Sequence, residues 1–344
     1  MAVNFDLQKR LGSGYFGEVW LARETGLDTD RAVKLIPPDK VLNQQNFFHE
    51  AQLLKAAEHP NVVQVFDAGT MADGRVYVAM EYLKKGSLED EASGAYVPLT
   101  RAGRIMVDTL RGLEYAHSQG ILHRDIKPAN ILVGPTSEGK LSDFGLALPI
   151  DVDPKSIGIK GYIYAIHLAP EVHGGGPYDV LSEIYSCGIT LYRLVNGDSY
   201  LPPPSPDLAA SVQNGEFPDR TSYREFVPRP VRLVVNRAMH VDPTKRYQSP
   251  ADLRHALERL ELNMNWNETV LSQGKRWSAG WDHRTIEVER IQVIGKGWSV
   301  SLKKGPYRKK LRRLSQYCHE GLPKDKAEKI SRRILQDFVL GKLK

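Results

Sequence analysis

The sequence is poor in cysteine and contains no long apolar segment. Its 344 residues include two cysteines, Cys187 and Cys318, whose separation suggests neither a disulfide framework nor a metal-ligand pattern. No window approaches the roughly 18 uninterrupted apolar residues of a membrane helix. Residues 1–6 lack the basic flank and apolar run of a secretory signal. We therefore expect a soluble, cytoplasmic protein that makes no membrane contact.

Charge is distributed unevenly along the chain. The net charge is +6, but residues 261–344 contribute about +10 and residues 1–260 about −4. Hydrophobic content of 41% and charged content of 26% are ordinary for a globular protein, which argues against disorder of the whole chain. The length leaves room for more than one compact unit. The basic character therefore belongs to a C-terminal tail.

Residues suited to phosphoryl transfer are concentrated in two neighbouring segments. Residues 123–130 read His-Arg-Asp-Ile-Lys-Pro-Ala-Asn and contain Asp125, Lys127 and Asn130, and the second segment begins at Asp143. The apolar strand and turn-rich stretch between them predict a hairpin that brings Asp143 back beside Asn130. One carboxylate and one amide oxygen are a normal protein share of a Mg²⁺ shell. Asp125 then remains free to accept the proton of an incoming hydroxyl.

Further motifs occur in a fixed order around these segments. A glycine-rich stretch at 12–19 precedes Ala32-Val33-Lys34, and Asp143-Phe144-Gly145 precedes Ala169-Pro170-Glu171. The glycine-rich stretch alone is weak evidence, because a hairpin turn explains it and a dinucleotide-binding fold would need a helix after the third glycine. Together, the motifs resemble the eukaryotic-like (Hanks-type) Ser/Thr protein kinase family over about residues 5 to 260.

This resemblance implies an α+β, two-lobed protein-kinase fold. Residues 1–83 would form the N-terminal lobe, a small antiparallel sheet with one helix, helix C. Residues 84–260 would form the larger, helical lobe. Residues 261–344 remain as a small basic α+β appendage.

The resemblance also implies an ATP site in the N-terminal lobe. Lys34 would bind the α- and β-phosphates, and Glu50 would hold its ammonium group. From the residues alone, an exposed strand lysine is the common case for Lys34, and a plain strand end explains residues 80–83 equally well. The order of the motifs favours the ATP site, whose expected residues are Gly12, Gly14, Gly17, Val19, Ala32, Lys34, Glu50, Met80, Glu81 and Leu83.

The same resemblance assigns the catalytic roles. Asp125 is expected to be the base, Lys127 to contact the transferred phosphate, and Asn130 with Asp143 to bind Mg²⁺, or Mn²⁺ in its place. Lys127 two residues after Asp125 is typical of the Ser/Thr branch, so the acceptor would be a hydroxyl of a protein substrate. A buried loop histidine such as His123 is read as a packing residue.

Residues 146–168 correspond to the family's activation loop. The candidate phosphorylation sites there are Ser156, Tyr162 and Tyr164, of which we place Ser156 first.

Two departures from the family pattern affect substrate alignment. The family's Gly-Thr before Ala169 is missing, and Glu183 stands where the family has an Asp that anchors the catalytic-loop backbone. Glu171 and Arg246, in contrast, match a structural ion pair of the family. A pseudokinase scaffold that only binds is therefore the alternative to an active kinase.

The tail, residues 261–344, resembles no family that we recognise. Alternation over Thr285–Val293 and again from Trp298 predicts a small hairpin, and an amphipathic pattern predicts a helix from about Lys324. Between them, residues 303–313 form a basic block. Three interpretations remain open: a solvated basic face on a small domain packed against the kinase, a docking site for a substrate or partner protein, and a nucleic-acid-binding surface.

Overall fold

The computed structural model describes residues 5–14, 17–38, 58–144, 148–149, 165–202 and 207–343. The helix expected around residues 47–54, which carries Glu50, lies outside these ranges. Within them, no helix has both the length and the apolar content that crossing a lipid bilayer requires.

The N-terminal lobe is built on one antiparallel sheet of five strands in the spatial order β1-β2-β3-β5-β4. The hairpin between β4 and β5 turns at Gly74, where φ is 85°, and places β4 at the edge of the sheet. A small apolar cluster that includes Val33 and Ala79 lies on one face. The strands are β1 Phe5–Gly14, β2 Gly17–Glu24, β3 Thr29–Ile36, β4 Val65–Thr70 and β5 Val76–Glu81.

A buried helix lies at the centre of the larger lobe. It begins in a capping box, in which the Asp179 carboxylate accepts hydrogen bonds from the N–H groups of Leu181 and Ser182. Every residue from Ser182 to Asn196 is buried, as expected for a helix with protein on all sides. The helices of this lobe are α1 Glu89–Gly94, α2 Leu99–Ser118, α3 Pro170–His173, α4 Val180–Asn196, α5 Leu208–Gln213, α6 Arg229–Ala238 and α7 Pro250–Glu258.

Short strands lie at the face of this lobe that meets the N-terminal sheet. Strand β6 Ile121–Leu122 delivers the chain to residues 123–130 and pairs with β9 Leu148–Pro149. Strands β7 Ile131–Val133 and β8 Gly139–Leu141 form the hairpin that the sequence predicts between Asn130 and Asp143.

The tail contains more β-structure than the hairpin predicted from its sequence. Strands β12 Arg284–Val293 and β13 Gly297–Pro306 form that hairpin, but they belong to a six-stranded sheet. The prediction was too small because β10 Asn267–Leu271 is largely exposed and shows no clear alternation of apolar residues. The other strands are β11 Gly274–Trp281, β14 Arg312–Arg313 and β15 His319–Leu322, and helix α8 Lys324–Val339 covers one face.

The tail packs directly against the helical lobe. The Tyr96 hydroxyl donates a hydrogen bond to the backbone carbonyl of Trp266 at 2.7 Å. Arg224 forms an ion pair with Glu268 at 2.9 Å, and its guanidinium lies over the Tyr96 ring. The buried apolar residues of the tail sheet continue the core of the lobe. The tail and the lobe therefore share one interior.

Candidate active site

Asp125 lies at the centre of a hydrogen-bonded cluster. Its Oδ2 atom accepts hydrogen bonds from Lys127 Nζ at 2.6 Å and from Asn130 Nδ2 at 2.9 Å. Asn130 Nδ2 also donates to the backbone carbonyl of Asp125, at 2.8 Å. A single 3-10 turn, Pro128–Asn130, brings Asn130 back to this position. The structure thus brings together the three side chains that the sequence assigns to catalysis.

Asp143 reaches the same place from the β7–β8 hairpin. Just before it, the Ser142 N–H and hydroxyl both donate hydrogen bonds to the backbone carbonyl of Asn130, at 2.9 and 3.1 Å. Asp143 itself has φ 61°, a left-handed conformation that is uncommon for residues other than glycine. Such strained backbone is concentrated at functional sites, because only the surrounding structure can maintain it.

An ion pair between Lys34 and Asp143 connects the two lobes. The Lys34 side chain is 9% exposed and that of Asp143 is 38% exposed. Burial by itself raises the pKa of the Asp143 carboxyl, but the Lys34 ammonium outweighs it, so the pKa lies below its ordinary value. The carboxyl is therefore ionised at neutral pH, which is the form that binds a divalent cation.

Strand register places the expected nucleotide-contacting residues on one face of the N-terminal sheet. Val19 lies opposite Lys34, and Ala32 lies opposite Met80. Side chains that oppose each other across an antiparallel pair share a face, and so do residues two apart along a strand. Because Lys34 contacts Asp143, this is the face turned towards the catalytic loop.

The glycines of the first hairpin have different surroundings. Gly14 pairs with Gly17 at the end of the β1–β2 hairpin. At Gly17, φ is 131° and a Cβ atom would overlap the backbone carbonyl of Leu35 on β3. At Gly12, a Cβ atom would meet nothing within 4 Å. Gly17 is therefore required by the packing of the sheet, whereas the space beside Gly12 is open to a ligand.

His123 packs inside the cluster, as the sequence suggests. Its ring lies 4.5 Å from the Phe144 ring, measured between centroids. Its Nε2 atom lies 2.8 Å from the Ser142 carbonyl, and its Nδ1 accepts a hydrogen bond from the Asp125 N–H at 3.2 Å. These partners require the neutral tautomer with the proton on Nε2. Burial is the main cause of its lowered pKa, in agreement with a neutral ring.

Glu183 anchors the catalytic loop from helix α4. Its side chain is fully buried, and one carboxylate oxygen accepts a hydrogen bond from the Arg124 N–H at 2.5 Å. Arg124 has φ 66°, so this anchor holds a second left-handed residue in the site. The other oxygen lies 2.6 Å from Nε2 of His117 on helix α2. Glu183, whose side chain is longer than the family's Asp by one methylene, therefore still binds the backbone of the loop at Arg124.

His117 is a site residue that the sequence did not reveal. A histidine in the last turn of a helix is ordinarily explained by the helix dipole, so its position alone carries no functional signal. Its role depends on Glu183, which lies 66 residues away in sequence. Only the packing of α2 against α4 brings the two together.

Glu171 and Arg246 form the ion pair expected from the sequence. The Arg246 guanidinium donates to both carboxylate oxygens, at 2.8 and 2.7 Å, and the arginine side chain is fully buried. Burial raises the pKa of the Glu171 carboxyl, but the hydrogen bonds from Arg246 hold it below its ordinary value. Such bidentate pairs fix geometry as well as charge. The segment after the activation loop is thereby attached to the C-terminal part of the lobe.

The ATP-site residues expected at positions 80–83 lie at the end of strand β5 and just after it. The Glu81 N–H donates to the Gln64 carbonyl at 3.0 Å, and its carboxylate pairs with Lys140 at 2.7 Å. Leu83 is buried, and its carbonyl accepts from the Gly86 N–H. Four expected site residues lie outside the described residues: Glu50, Ser156, Tyr162 and Tyr164.

This fold and this grouping of residues define a class of protein, the two-lobed phosphotransferases that act through a lysine, a catalytic-loop aspartate and a metal-binding aspartate. Comparison with known families agrees, because the model of the protein kinase domain matches residues 5–257. The chain belongs to the Hanks-type Ser/Thr protein kinase family.

Similar proteins carry the corresponding names. "Serine/threonine-protein kinase PknB" of Mycobacterium leprae is 34% identical over 266 residues, which is 74% of this chain and 43% of that protein. "Serine/threonine-protein kinase PknJ" of Mycobacterium tuberculosis is 31% identical over 265 residues, 73% of this chain and 44% of the relative. A probable serine/threonine-protein kinase of Corynebacterium efficiens is 33% identical over 278 residues, which is 76% of this chain and 42% of that protein. The chain thus spans less than half the length of these relatives.

Proposed function

We propose that this chain is an active Ser/Thr protein kinase that transfers the γ-phosphoryl group of ATP to a hydroxyl of a protein substrate. The observation that carries the proposal is the convergence of Lys34, Asp125, Lys127, Asn130 and Asp143 at one point between the lobes. Binding alone would not need a carboxylate at Asp125, which is positioned by Lys127 and Asn130.

The donor set fits Mg·ATP. Both hydrogen bonds of the Asn130 amide nitrogen go to Asp125, which leaves the amide oxygen to face a cation together with the ionised Asp143. Hard oxygen donors of this kind suit Mg²⁺ and also Mn²⁺. A bound divalent cation would neutralise charge on the phosphates. Asp143 and Asn130 would hold it, and Lys34, backed by Glu50, would bind the phosphates on the other side.

The remaining roles follow from the arrangement of the site. Asp125 accepts the proton of the acceptor hydroxyl, and Lys127 offsets the charge that develops on the transferred group. The phosphates would be approached by the glycine-rich hairpin, at Gly12, Gly14 and Gly17. The adenine would be enclosed by Val19 and Ala32, and its edge would be lined by Met80, Glu81 and Leu83.

The proposal includes phosphorylation of the activation loop, at Ser156 first. It also includes a cytoplasmic location, because the ATP that the kinase consumes is intracellular.

The test compares the wild-type chain with Asp125→Asn. The amide keeps the size of the side chain and its contact with Lys127 but cannot accept the substrate proton. We expect phosphate incorporation into a Ser/Thr-containing substrate protein to fall by about 10²–10⁴-fold, the usual contribution of a general base. Asp252→Asn, on the exposed start of helix α7, is the matched control and should have no effect.

Two results would contradict the proposal. Equal labelling by the wild-type chain and Asp125→Asn would mean that the activity comes from a contaminant. Mg·ATP-induced thermal stabilisation of the wild-type chain without any phosphate transfer would instead support the pseudokinase scaffold. Phosphoamino-acid analysis of the product tests the Ser/Thr assignment separately.

A further inference from the structure

Cations of the tail sheet fall into two groups according to the face on which they lie. Lys303 forms ion pairs with Glu287 and Glu289, and Arg276 pairs with the same two glutamates. These four residues share one face, because Glu287 lies opposite Lys303 and Arg276 lies opposite Glu289 in the strand register. The cations on this face are therefore neutralised within the sheet.

The other face ends in cations that have no such partners. Lys304 lies opposite Ile286 on one side and Arg312 on the other, and Arg284 is two residues from Ile286 on the same strand. Ile286 is buried, so this is the face that helix α8 covers further along the sheet. At this end, Arg284 and Arg312 are exposed.

A turn adds three more cations at the same end. The Tyr307 N–H donates a hydrogen bond to the His283 carbonyl at 3.0 Å, which joins the loop after β13 to the loop between β11 and β12. Arg308, Lys309 and Lys310 follow and are exposed. We call the resulting set the basic end of the tail, and its members are Arg284, Lys304, Arg308, Lys309, Lys310 and Arg312.

The carboxylate nearest in sequence to the basic end is that of Asp282, in the turn between β11 and β12, two residues before Arg284. In the part of the chain that the structure describes, none of the six members of the basic end lies within ion-pair distance of a carboxylate. Holding like charges together without counter-charges is unfavourable. A bound polyanion relieves the repulsion and releases the counterions condensed on its own charges. The arrangement is therefore that of a polyanion-binding surface.

Aromatic side chains accompany the cations. Tyr307 is 59% exposed on the turn, with the Arg308 guanidinium 5.2 Å from its ring centroid. Lys304 Nζ lies 5.3 Å from the centroid of the Trp281 ring. Aromatic rings between cations are the combination that binds single-stranded nucleic acids, in which phosphates meet the cations and an unpaired base stacks on a ring.

An acidic peptide fits the same surface less well. Peptide docking uses an apolar groove or an open sheet edge in addition to charge. The exposed large apolar residues of the tail other than Tyr307 are Val270, Val293 and Ile294. Val293 and Ile294 lie at the opposite end of the β12–β13 hairpin from Arg284, so these two exposed side chains cannot anchor a peptide beside the cations.

We propose that the basic end of the tail binds single-stranded nucleic acid, through phosphate contacts by its six cations and stacking of a base on Tyr307. This binding site is separate from the catalytic cluster and does not depend on the proposed kinase activity. The test accordingly measures binding in the absence of ATP, by fluorescence anisotropy of a labelled mixed-sequence oligonucleotide, with the whole chain of 344 residues.

Salt dependence measures how many phosphates are contacted. With six contacts to a single strand, raising the salt from about 50 to about 200 mM should weaken binding about 300-fold. In the triple variant Arg308→Gln, Lys309→Gln, Lys310→Gln, three contacts remain, and the same change should weaken binding only about 20-fold. Tyr307→Ala should weaken binding about tenfold at every salt concentration, because stacking does not depend on counterion release.

The matched control removes the same charge elsewhere in the tail. Three lysines are exposed at the start of helix α8: Lys324, Lys326 and Lys329. The helix begins just after Leu322, which pairs with Trp298 at the end of strand β13 that is remote from the basic end. Replacement of all three lysines by Gln should leave the salt slope unchanged. Thermal denaturation of each variant shows that the chain is folded.

Three outcomes would overturn the proposal. The first is equal loss of binding in the two triple variants, which would mean that net charge alone is responsible. The second is a Tyr307→Ala variant that binds as tightly as the wild-type chain. The third is tight binding of polyglutamate with none of the oligonucleotide, which would make the basic end a docking surface for acidic proteins.

Discussion

The carboxylate of Glu183 offers the sharpest test of how the catalytic loop is held. It is fully buried, and its two oxygens meet the Arg124 N–H at 2.5 Å and His117 Nε2 at 2.6 Å. In Glu183→Gln one oxygen remains to accept from Arg124, but the charge is lost from both contacts. Hydrogen bonds to a charged group contribute about 1.5–3 kcal/mol and neutral ones about 1 kcal/mol. We therefore expect the free energy of unfolding to fall by about 2 kcal/mol.

Loss of this anchor should also slow catalysis. Arg124, with its left-handed backbone, immediately precedes Asp125, so a looser anchor displaces the catalytic base. A misplacement of about 1 Å costs about 10²-fold in rate. We expect kcat to fall at least about tenfold, with little change in the KM for ATP, because Lys34 and the N-terminal sheet are untouched.

Urea denaturation and steady-state kinetics on a peptide substrate check these values. His117→Asn is the matched control: it removes the second contact but leaves the bond to Arg124, so stability should fall while kcat changes less than in Glu183→Gln. The reasoning is refuted if Glu183→Gln retains both the wild-type stability and the wild-type kcat.

Two further predictions concern the glycine-rich hairpin and the buried histidines. Gly17→Ala should destabilise the N-terminal lobe and abolish ATP-induced thermal stabilisation, because the added Cβ atom would overlap the Leu35 carbonyl. Gly12→Ala should fold normally, because a Cβ atom there meets nothing within 4 Å. Equal melting temperatures for the two variants would contradict this prediction. Burial lowers the pKa of both His123 and His167. Their unfolded forms therefore bind protons that the folded forms do not, and stability should be lost as the pH falls below about 6.5, by at most about 1.4 kcal/mol per pH unit for each histidine. Urea denaturation between pH 7 and about pH 5 measures the slope, and a flat profile would rule out neutral buried histidines.

Much of the catalytic lobe could be predicted from its sequence because its chemistry depends on residues that are close together along the chain. Asp125, Lys127 and Asn130 lie within one loop and one 3-10 turn, and a short hairpin returns Asp143 to them. Turn residues and apolar strands are local signals, so this geometry follows from local structure. The pair Glu171–Arg246 could be inferred only from the family resemblance, because the two residues are 75 positions apart.

The sequence by itself determined the order of the motifs, the hairpins and the residue types that phosphoryl transfer requires. Tertiary structure alone decided that His117 supports Glu183, that the tail shares the interior of the helical lobe, and that Lys303 is neutralised while its neighbour Lys304 is not. The physical reason is that strand register and helix packing set which distant residues meet. In a β-strand, adjacent side chains face opposite ways, so a continuous basic block is divided between two faces with different partners.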